Sequence, residues 1–255
     1  MAANNVSTRK GKSFFAKLME RREAMLALIV VAMYIVLSFI TPSFMTWSNQ
    51  KVVISSMAVD GIVVIGMTIS LISGGIDLSV GSTLCLSMTV AALLMRNGNH
   101  PWLCSLAGIA VTALIGLIIG LLVTKLHLTH FIVTLCFMGI ARGLVYILTG
   151  GSPVSLVRVF AENKGFAFLG QGTIAGVFPM APVCFIVIAI IAELYVRNSA
   201  VMRKVVLYRH NEQSASLFRY QVDKMKIIAC VACAALAGVA GIIYMIRYSG
   251  VAVNA

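Results

Sequence analysis

The chain has 255 residues, of which 60% are hydrophobic and only 11% are charged. Soluble domains carry about a quarter charged residues, so this composition excludes a soluble globular domain and predicts an all-α, polytopic membrane bundle. The formal net charge is +12. Basic loops beside anionic lipid account for this charge, which indicates contact with membrane lipid and no nucleic-acid partner.

Seven apolar segments are predicted to cross a hydrocarbon core about 30 Å thick. A polar, basic cytoplasmic tail, residues 1–23, precedes a membrane domain at 24–255. Thr41-Pro42 follows the first segment where a signal sequence would have a cleavage site, which favours an uncleaved helix. The segments lie at 24–40, 52–72, 79–95, 102–124, 131–148, 178–196 and 227–246.

The basic residues predict the orientation of these segments. Placing the N-terminus in the cytoplasm puts 14 of the 20 Lys and Arg residues inside and five outside, and the remaining one, Arg142, lies within a segment. Because basic loops stay cytoplasmic, we expect this orientation, with the loop 197–226 inside and the glycine-rich segment 150–177 outside.

The sequence ISGGIDLSVGS, residues 72–82, interrupts an apolar region and predicts a broken helix near 73–79. Gly74 and Gly75 disfavour a continuing helix and tolerate positive φ. Asp77 is placed to cap the next helix by accepting from the amide of Ser79 or Val80, and Ser79 is an alternative cap. Gly81 is expected to allow close approach to a neighbouring helix.

Two structures are compatible with this segment. One is a tight turn at the cytoplasmic surface, in which Asp77 only caps a helix, and capping explains every residue in the segment. The other is a discontinuous helix inside the bundle, whose freed backbone groups line a substrate path. The residues alone leave both open.

Arg142 is a second candidate for the path because a cation inside a span is costly and normally faces protein or water. It could pair with Asp60 or Glu193, or extend toward the membrane surface.

Two glycine pairs are expected at close contacts between helices. They are Gly116 with Gly120, and Gly139 with Gly143.

Other short motifs predict no catalysis and no metal site. Cys230-x-x-Cys233 lies in an apolar segment without a second cysteine pair, and His127-x-x-His130 has no carboxylate or thiol beside it in sequence. Gly11-Lys12-Ser13 lacks the preceding glycine and strand of a phosphate-binding loop, so the chain itself should bind no ATP. The eight acidic residues are scattered. We therefore expect a non-enzymatic chain without a bound cofactor.

The polar loop 197–226 contains a short amphipathic stretch at about 211–218. It could be an ordinary loop held at the lipid surface by its basic residues. It could instead form a short helix that docks into a groove on a cytoplasmic partner.

Several of these segments resemble the permease subunits of bacterial ABC importers for ribose, galactose, xylose and related sugars. The resemblance is carried by GIVVIGMTIS with ISGGIDLSVGS, by HFIVTLCFMGIARGLVYILTGGSPV, by GFAFLG, and by the loop before AGVAGIIY. It covers nearly the whole chain after the tail. His130 stands where the family commonly has proline, and Arg209-His210-Asn211 replaces Gly-Gly-Asn.

The resemblance implies an inner-membrane permease that forms the translocation path. Its implied partners are a cytoplasmic ATP-binding subunit, a periplasmic sugar-binding protein, a second permease subunit and membrane lipid. It implies a path along Gly74, Gly75, Asp77, Ser79, Gly81 and Arg142, and coupling to the ATPase through Arg203, Asn211, Glu212 and Ala215.

The family continues beyond the last residue of this chain with a second glycine-rich broken helix, so the sequence is expected to represent a C-terminally truncated permease. A non-transporting membrane remnant is one alternative. An ion-coupled secondary carrier is another, although Asp60, Asp77 and Glu193 are the only carboxylates that its spans would offer.

Overall fold

The computed structural model describes residues 22–198 and 219–252, with side chains from 24 to 198 and from 223 to 252. Nine helices and four two-residue strands occupy these ranges. They are α1 Arg22–Ile40, α2 Trp47–Ile72, α3 Val80–Arg96, α4 Pro101–Lys125, α5 His130–Thr149, β1 Val154–Ser155, α6 Val157–Glu162, α7 Lys164–Gln171, β2 Thr173–Ile174, β3 Phe178–Pro179, α8 Met180–Asn198, α9 Arg219–Tyr248 and β4 Gly250–Val251.

Each of the seven predicted apolar segments corresponds to one helix, which confirms the all-α membrane bundle. Five of these helices, α2, α4, α5, α8 and α9, are long and apolar enough to cross a membrane. The apolar parts of α1 and α3, at Ala24–Ile40 and Val80–Arg96, are shorter. The length of α3, 17 residues, corresponds to about 26 Å, a little less than a hydrocarbon core.

The start of α2 differs most from expectation among the early helices, because it begins at Trp47 and not near residue 52. The side-chain amides of Asn49 and Gln50 both donate to the carbonyl of Phe44, at 2.9 and 2.8 Å. These bonds hold the polar residues before the apolar segment in the first turn of α2, which explains why the helix begins earlier than expected.

The chain divides into two compact units, 1–52 and 53–255. In the first unit, the large apolar side chains of α1 are exposed, as expected for a helix in contact with lipid. Tyr34 packs edge-on against Phe44 and its hydroxyl bonds to Gln50. The predicted boundary at residue 23, between a basic tail and a membrane domain, is a different division from this one and stays a prediction.

The core of the second unit is built from α3, α4 and α9, with α5 packed against α3. Helix α3 is the most enclosed of these, and its buried residues extend from Ser82 to Met95. Leu86, Met88 and Ile119 are almost fully buried where α3 and α4 meet the core. A helix surrounded in this way contacts protein on most of its faces and little lipid.

Close packing between α4 and α9 confirms one of the predicted glycine pairs. A Cβ atom at Gly116 would lie 2.5 Å from the carbonyl oxygen of Cys230, and one at Gly120 would lie 2.9 Å from the Cα atom of Ile227. Both are backbone atoms, so the helices approach one another only because these positions lack side chains.

Gly139, Gly143 and Gly81 make no such contact within the described part of the chain. A Cβ atom at any of the three would meet no other atom within 4 Å, and all three residues are exposed. Sequence spacing places two glycines on one face of a helix, but it does not specify whether that face meets another helix within the described part of the chain.

The predicted outer segment 150–177 contains more structure than its glycine content suggested. Two short helices, α6 and α7, lie between the strand β1 and the hairpin β2–β3. β1 pairs antiparallel with β4, and Val154 lies opposite Val251. This ladder links the segment to the chain immediately after α9.

Candidate functional site

The interruption between α2 and α3 is the candidate site, and its limits confirm the predicted break at 73–79. Helix α2 ends at Ile72 and α3 begins at Val80. The chain reverses at Gly74, whose φ is +94°, a conformation that favours glycine. Ser70 then holds the chain beyond the end of the helix, because its carbonyl accepts from the Gly75 amide and its hydroxyl donates to the Gly75 carbonyl, both at 3.1 Å.

Asp77 is 2% exposed and organises the start of α3. Its Oδ1 accepts hydrogen bonds from the Ser79 amide at 2.8 Å and from the Ser79 hydroxyl at 2.6 Å. The predicted bond to the Ser79 amide is therefore present. However, Ser79 occupies the capping position and makes no side-chain bond to the helix, so neither residue is an N-cap of the usual kind.

The position of Asp77 along α9 distinguishes the two structures considered for this segment. The thiol of Cys233 lies against the Asp77 carboxylate. Cys233 is six residues beyond Ile227, where the uncharged part of α9 begins, which corresponds to about 9 Å along the helix. The carboxylate thus lies within the apolar depth of the bundle, which favours the discontinuous helix over a turn confined to the surface.

His130 joins this segment to two helices, a role that the sequence did not indicate. Its Nδ1 donates to the carbonyl of Ile76 at 2.9 Å. Its Nε2 lies 3.4 Å from Sγ of Cys230 on α9 and can accept from that thiol. Thr134 also donates to the Ile76 carbonyl, at 3.4 Å.

The pair His127-x-x-His130 was expected to have no neighbouring carboxylate or thiol, and Cys230-x-x-Cys233 was expected to have no partner pair nearby. The fold brings His130 and Cys230 together, so the expectation that no thiol lies near this histidine is wrong. Within the described ranges, no group of three or more His, Cys, Asp or Glu side chains has the arrangement of a metal site. The contact therefore ties the segment to α9 through a hydrogen bond.

The two adjacent glycines serve different purposes. At Gly74 the need is conformational, since a Cβ atom there would meet nothing within 4 Å. At Gly75 the need is spatial, since a Cβ atom would lie 2.5 Å from Cδ2 of His130. The pair thus combines the reversal of the chain with the close contact of the imidazole ring.

This difference predicts a non-additive response to substitution. Gly75→Ala should lower thermal stability by about 1–3 kcal/mol through overpacking, and His130→Ala should remove most of that loss in the double variant. Gly74→Ala, the matched control, should cost about 1 kcal/mol through backbone strain in both backgrounds. Apparent melting temperatures in detergent provide the comparison, and an additive result for Gly75 and His130 would contradict the assigned contact.

Ser82 adds an unusual group one turn into α3. It is 1% exposed, and its hydroxyl oxygen is the one buried side-chain polar atom without a hydrogen-bond partner in the described ranges. Buried hydroxyl groups normally have a hydrogen-bond partner, so the Ser82 hydroxyl is an exception among the described residues of α3.

Arg142 lies apart from the interruption. It is half-buried on α5 and lies within electrostatic range of Cys85 on α3. It is 12 residues beyond His130, or about 18 Å along the helix, so it does not share a contact site with Asp77. Asp60 and Glu193, its expected partners, are both exposed.

The predicted ATPase-coupling residues, Arg203, Asn211, Glu212 and Ala215, lie outside the described residues. The same holds for most of the loop 197–226, of which Arg197 and Asn198 close α8 and residues 219–226 open α9.

Three cavities within the described part of the chain bear on the site. One of about 310 Å³ adjoins the interruption and includes Gly74, Gly75 and Lys226 in its lining. One of about 360 Å³ lies at the opposite end of α9, beside Tyr244 and Tyr248. The third, of about 420 Å³, is lined almost wholly by apolar side chains from α4, α7, α8 and α9. Only the first two present polar groups to a ligand.

Comparison with known proteins places this arrangement in a family. The profile described as branched-chain amino acid transport system, permease component, matches residues 50–255. The chain belongs to this permease family. It is thus a multi-pass membrane subunit of an ABC importer, and its relatives are transport proteins.

Curated relatives cover most of this chain. The ribose import permease protein RbsC of Escherichia coli strain K12 is 33% identical over 225 residues, which are 87% of this chain and 68% of that protein. RbsC of Bacillus subtilis is 29% identical over 89% of this chain and 69% of that protein. The L-arabinose permease protein AraH of E. coli is 30% identical over 80% of this chain and 60% of that protein. No solved structure matches significantly.

Proposed function

We propose that this permease imports a neutral sugar and that the interruption between α2 and α3 forms part of its path. The observation that carries the proposal is the burial of Asp77 and Ser79 inside a bundle of the permease family. Non-helical backbone at this depth is tolerated where it is enclosed by protein or lines a cavity. The segment is enclosed by α5 and α9. It also lines a cavity at Gly74 and Gly75.

The choice of sugar rests on the relatives and on the chemistry of the spans. The family description names branched-chain amino acids, whereas the relatives with about 30% identity are named for ribose, L-arabinose and fructose. An amino acid is a zwitterion and calls for two charged partners in its site. A neutral sugar calls for hydroxyl groups and aromatic faces and needs no ionisable relay.

The cavity beside Tyr244 and Tyr248 has groups of the kind that suit a sugar. The two rings are tilted with centroids 4.6 Å apart, and the guanidinium of Arg247 lies 5.1 Å from the Tyr248 ring. Ser155 and Ser249 also line the cavity, whose volume is about 360 Å³. In the proposed orientation this end of α9 faces the periplasm, where a sugar-binding protein would deliver its ligand.

The remaining assignments follow from the family and from the distribution of charge. The N-terminus and the loop 197–226 are cytoplasmic in this proposal, and an ATP-binding subunit docks near Arg203, Asn211, Glu212 and Ala215. A second permease subunit completes the membrane unit. ATP is bound and hydrolysed by the partner, and this chain supplies the path.

Reconstitution tests the proposal directly. The permease is placed in vesicles with its ATP-binding subunit and binding protein, and uptake of labelled ribose, L-arabinose and leucine is compared. We expect ATP-dependent uptake of one sugar and none of leucine. Uptake that follows a proton or sodium gradient without ATP would contradict the proposal in favour of a secondary carrier, and failure to bind any ATPase would favour a remnant.

The coupling assignment predicts a separate effect of Glu212→Lys. The reversed charge should abolish most uptake and most stimulation of ATP hydrolysis, while the amount of protein in the membrane stays unchanged. Lys125→Glu, a charge reversal at the end of α4 on the same proposed side of the membrane, is the matched control and should retain coupling. Normal coupling in Glu212→Lys, or an outer location of residue 211 by fusion to periplasmic and cytoplasmic reporters, would refute the assignment.

A further inference from the structure

The cavity beside the interruption has a different chemical character from the tyrosine cavity. Its volume is about 310 Å³, and its lining comprises Ser73, Gly74, Gly75, Val123, His127, Leu128, His130 and Lys226. It contains one fixed cation and two imidazoles. It contains no carboxylate and no phenyl, phenol or indole ring.

The cavity is formed by three parts of the chain that are distant in sequence. The reversal after α2 supplies one wall, the turn between α4 and α5 supplies the second, and the first turns of α9 supply the third. Hydrogen bonds hold two of these walls together, because His130 Nδ1 binds the Ile76 carbonyl and Nε2 faces Cys230, one turn beyond Lys226. The lining is therefore a built site and not a gap between independent loops.

The electrostatics of this cavity favour an anion. Lys226 is half-buried, and within the described part of the chain no carboxylate forms an ion pair with it. The N-terminal end of α5 opens beside it and adds a positive potential. A neutral sugar would find no carboxylate acceptors or aromatic faces among the lining residues, whereas a phosphate would find the ammonium of Lys226.

We infer that this cavity binds a phosphate group, supplied by an anionic phospholipid at the end of the bundle where α2, α4 and α9 meet the membrane surface. The lipid headgroup would bridge the turn between α4 and α5 to α9 through His127 and Lys226, beside the interruption. Binding there would stabilise the interruption itself, so the inference rests on the proposed path and adds an anionic lipid ligand to it.

Lipid binding to the purified full-length chain tests the inference. Phosphatidylglycerol and phosphatidylcholine are titrated separately and bound lipid is counted by native mass spectrometry. We expect at least fivefold preference for phosphatidylglycerol, and Lys226→Gln should lose about fivefold of its affinity, the effect of one cation near a lipid surface. Lys226→Arg should keep the preference, which separates lost charge from misfolding.

Lys125→Gln is the matched control, because Lys125 is exposed at the end of α4 and does not line the cavity. It should bind phosphatidylglycerol as the wild type does.

Equal binding of the two lipids, or equal losses in Lys226→Gln and Lys125→Gln, would overturn the inference. Displacement of lipid by millimolar inorganic phosphate would support the phosphate site and assign it to a soluble anion. These readouts do not involve sugar uptake, so their failure is distinguishable from failure of the proposed transport.

Discussion

Replacing Asp77 by alanine is expected to lower the stability of the permease by about 2–3 kcal/mol and to abolish most transport. The carboxylate is 2% exposed and accepts from both the amide and the hydroxyl of Ser79. Its removal leaves two buried donors unpaired, and each unpaired group costs about 1–3 kcal/mol. The apparent melting temperature in detergent and ATP-dependent uptake in vesicles measure the two effects.

Two further variants show which property of Asp77 matters. Asp77→Asn keeps an oxygen acceptor and should lose less stability than Asp77→Ala. Ser79→Ala removes the hydroxyl donor and leaves the amide bond, so its loss should also be smaller. A melting temperature for Asp77→Ala equal to that of the wild type would remove the carboxylate from its assigned role at the start of α3.

The second large effect is expected at Gly116. In Gly116→Ala the new Cβ would lie 2.5 Å from the Cys230 carbonyl oxygen and 2.8 Å from Cβ of Ala234, so α4 and α9 must separate. Overpacking of this kind costs about 1–3 kcal/mol. We expect a lower melting temperature and a smaller monodisperse fraction in size-exclusion chromatography.

Gly139→Ala and Gly143→Ala are the matched controls for this prediction. Both positions have the same small-residue spacing on a membrane helix, but a Cβ atom at either would meet nothing within 4 Å. Their stability should equal or slightly exceed that of the wild type, because alanine is a better helix former than glycine. Similar losses at Gly116 and Gly139 would show that the spacing itself, and not the contact with α9, sets the cost.

Local features of this chain were predictable from its sequence. Composition and apolar segments specified the helices, and Gly74, Gly75 and Asp77 specified where one helix ends and another begins. These features depend on backbone conformation and on neighbours within a few residues, which a sequence displays directly.

Features that depend on distant partners were not predictable. His130 contacts Cys230 across 100 residues, and Val154 pairs with Val251 across nearly as many. The same limitation explains why Gly116 makes the expected contact, whereas Gly81 and Gly139 make none within the described part of the chain. Spacing identifies a face of a helix, but the packing partner of that face is a tertiary property.

The enclosure of α3 has a consequence for the biogenesis of the protein. Its Ser87 hydroxyl donates to the carbonyl of Gly238 at 3.1 Å, and Gly238 belongs to a helix that begins about 120 residues after α3 ends. While the ribosome is still making the intervening chain, α3 is a short, hydroxyl-rich segment without its main neighbour. The packing of α3 against α9 must therefore follow the release of α9 from the translocon. The last step in the assembly of α3 is thus a late event in synthesis.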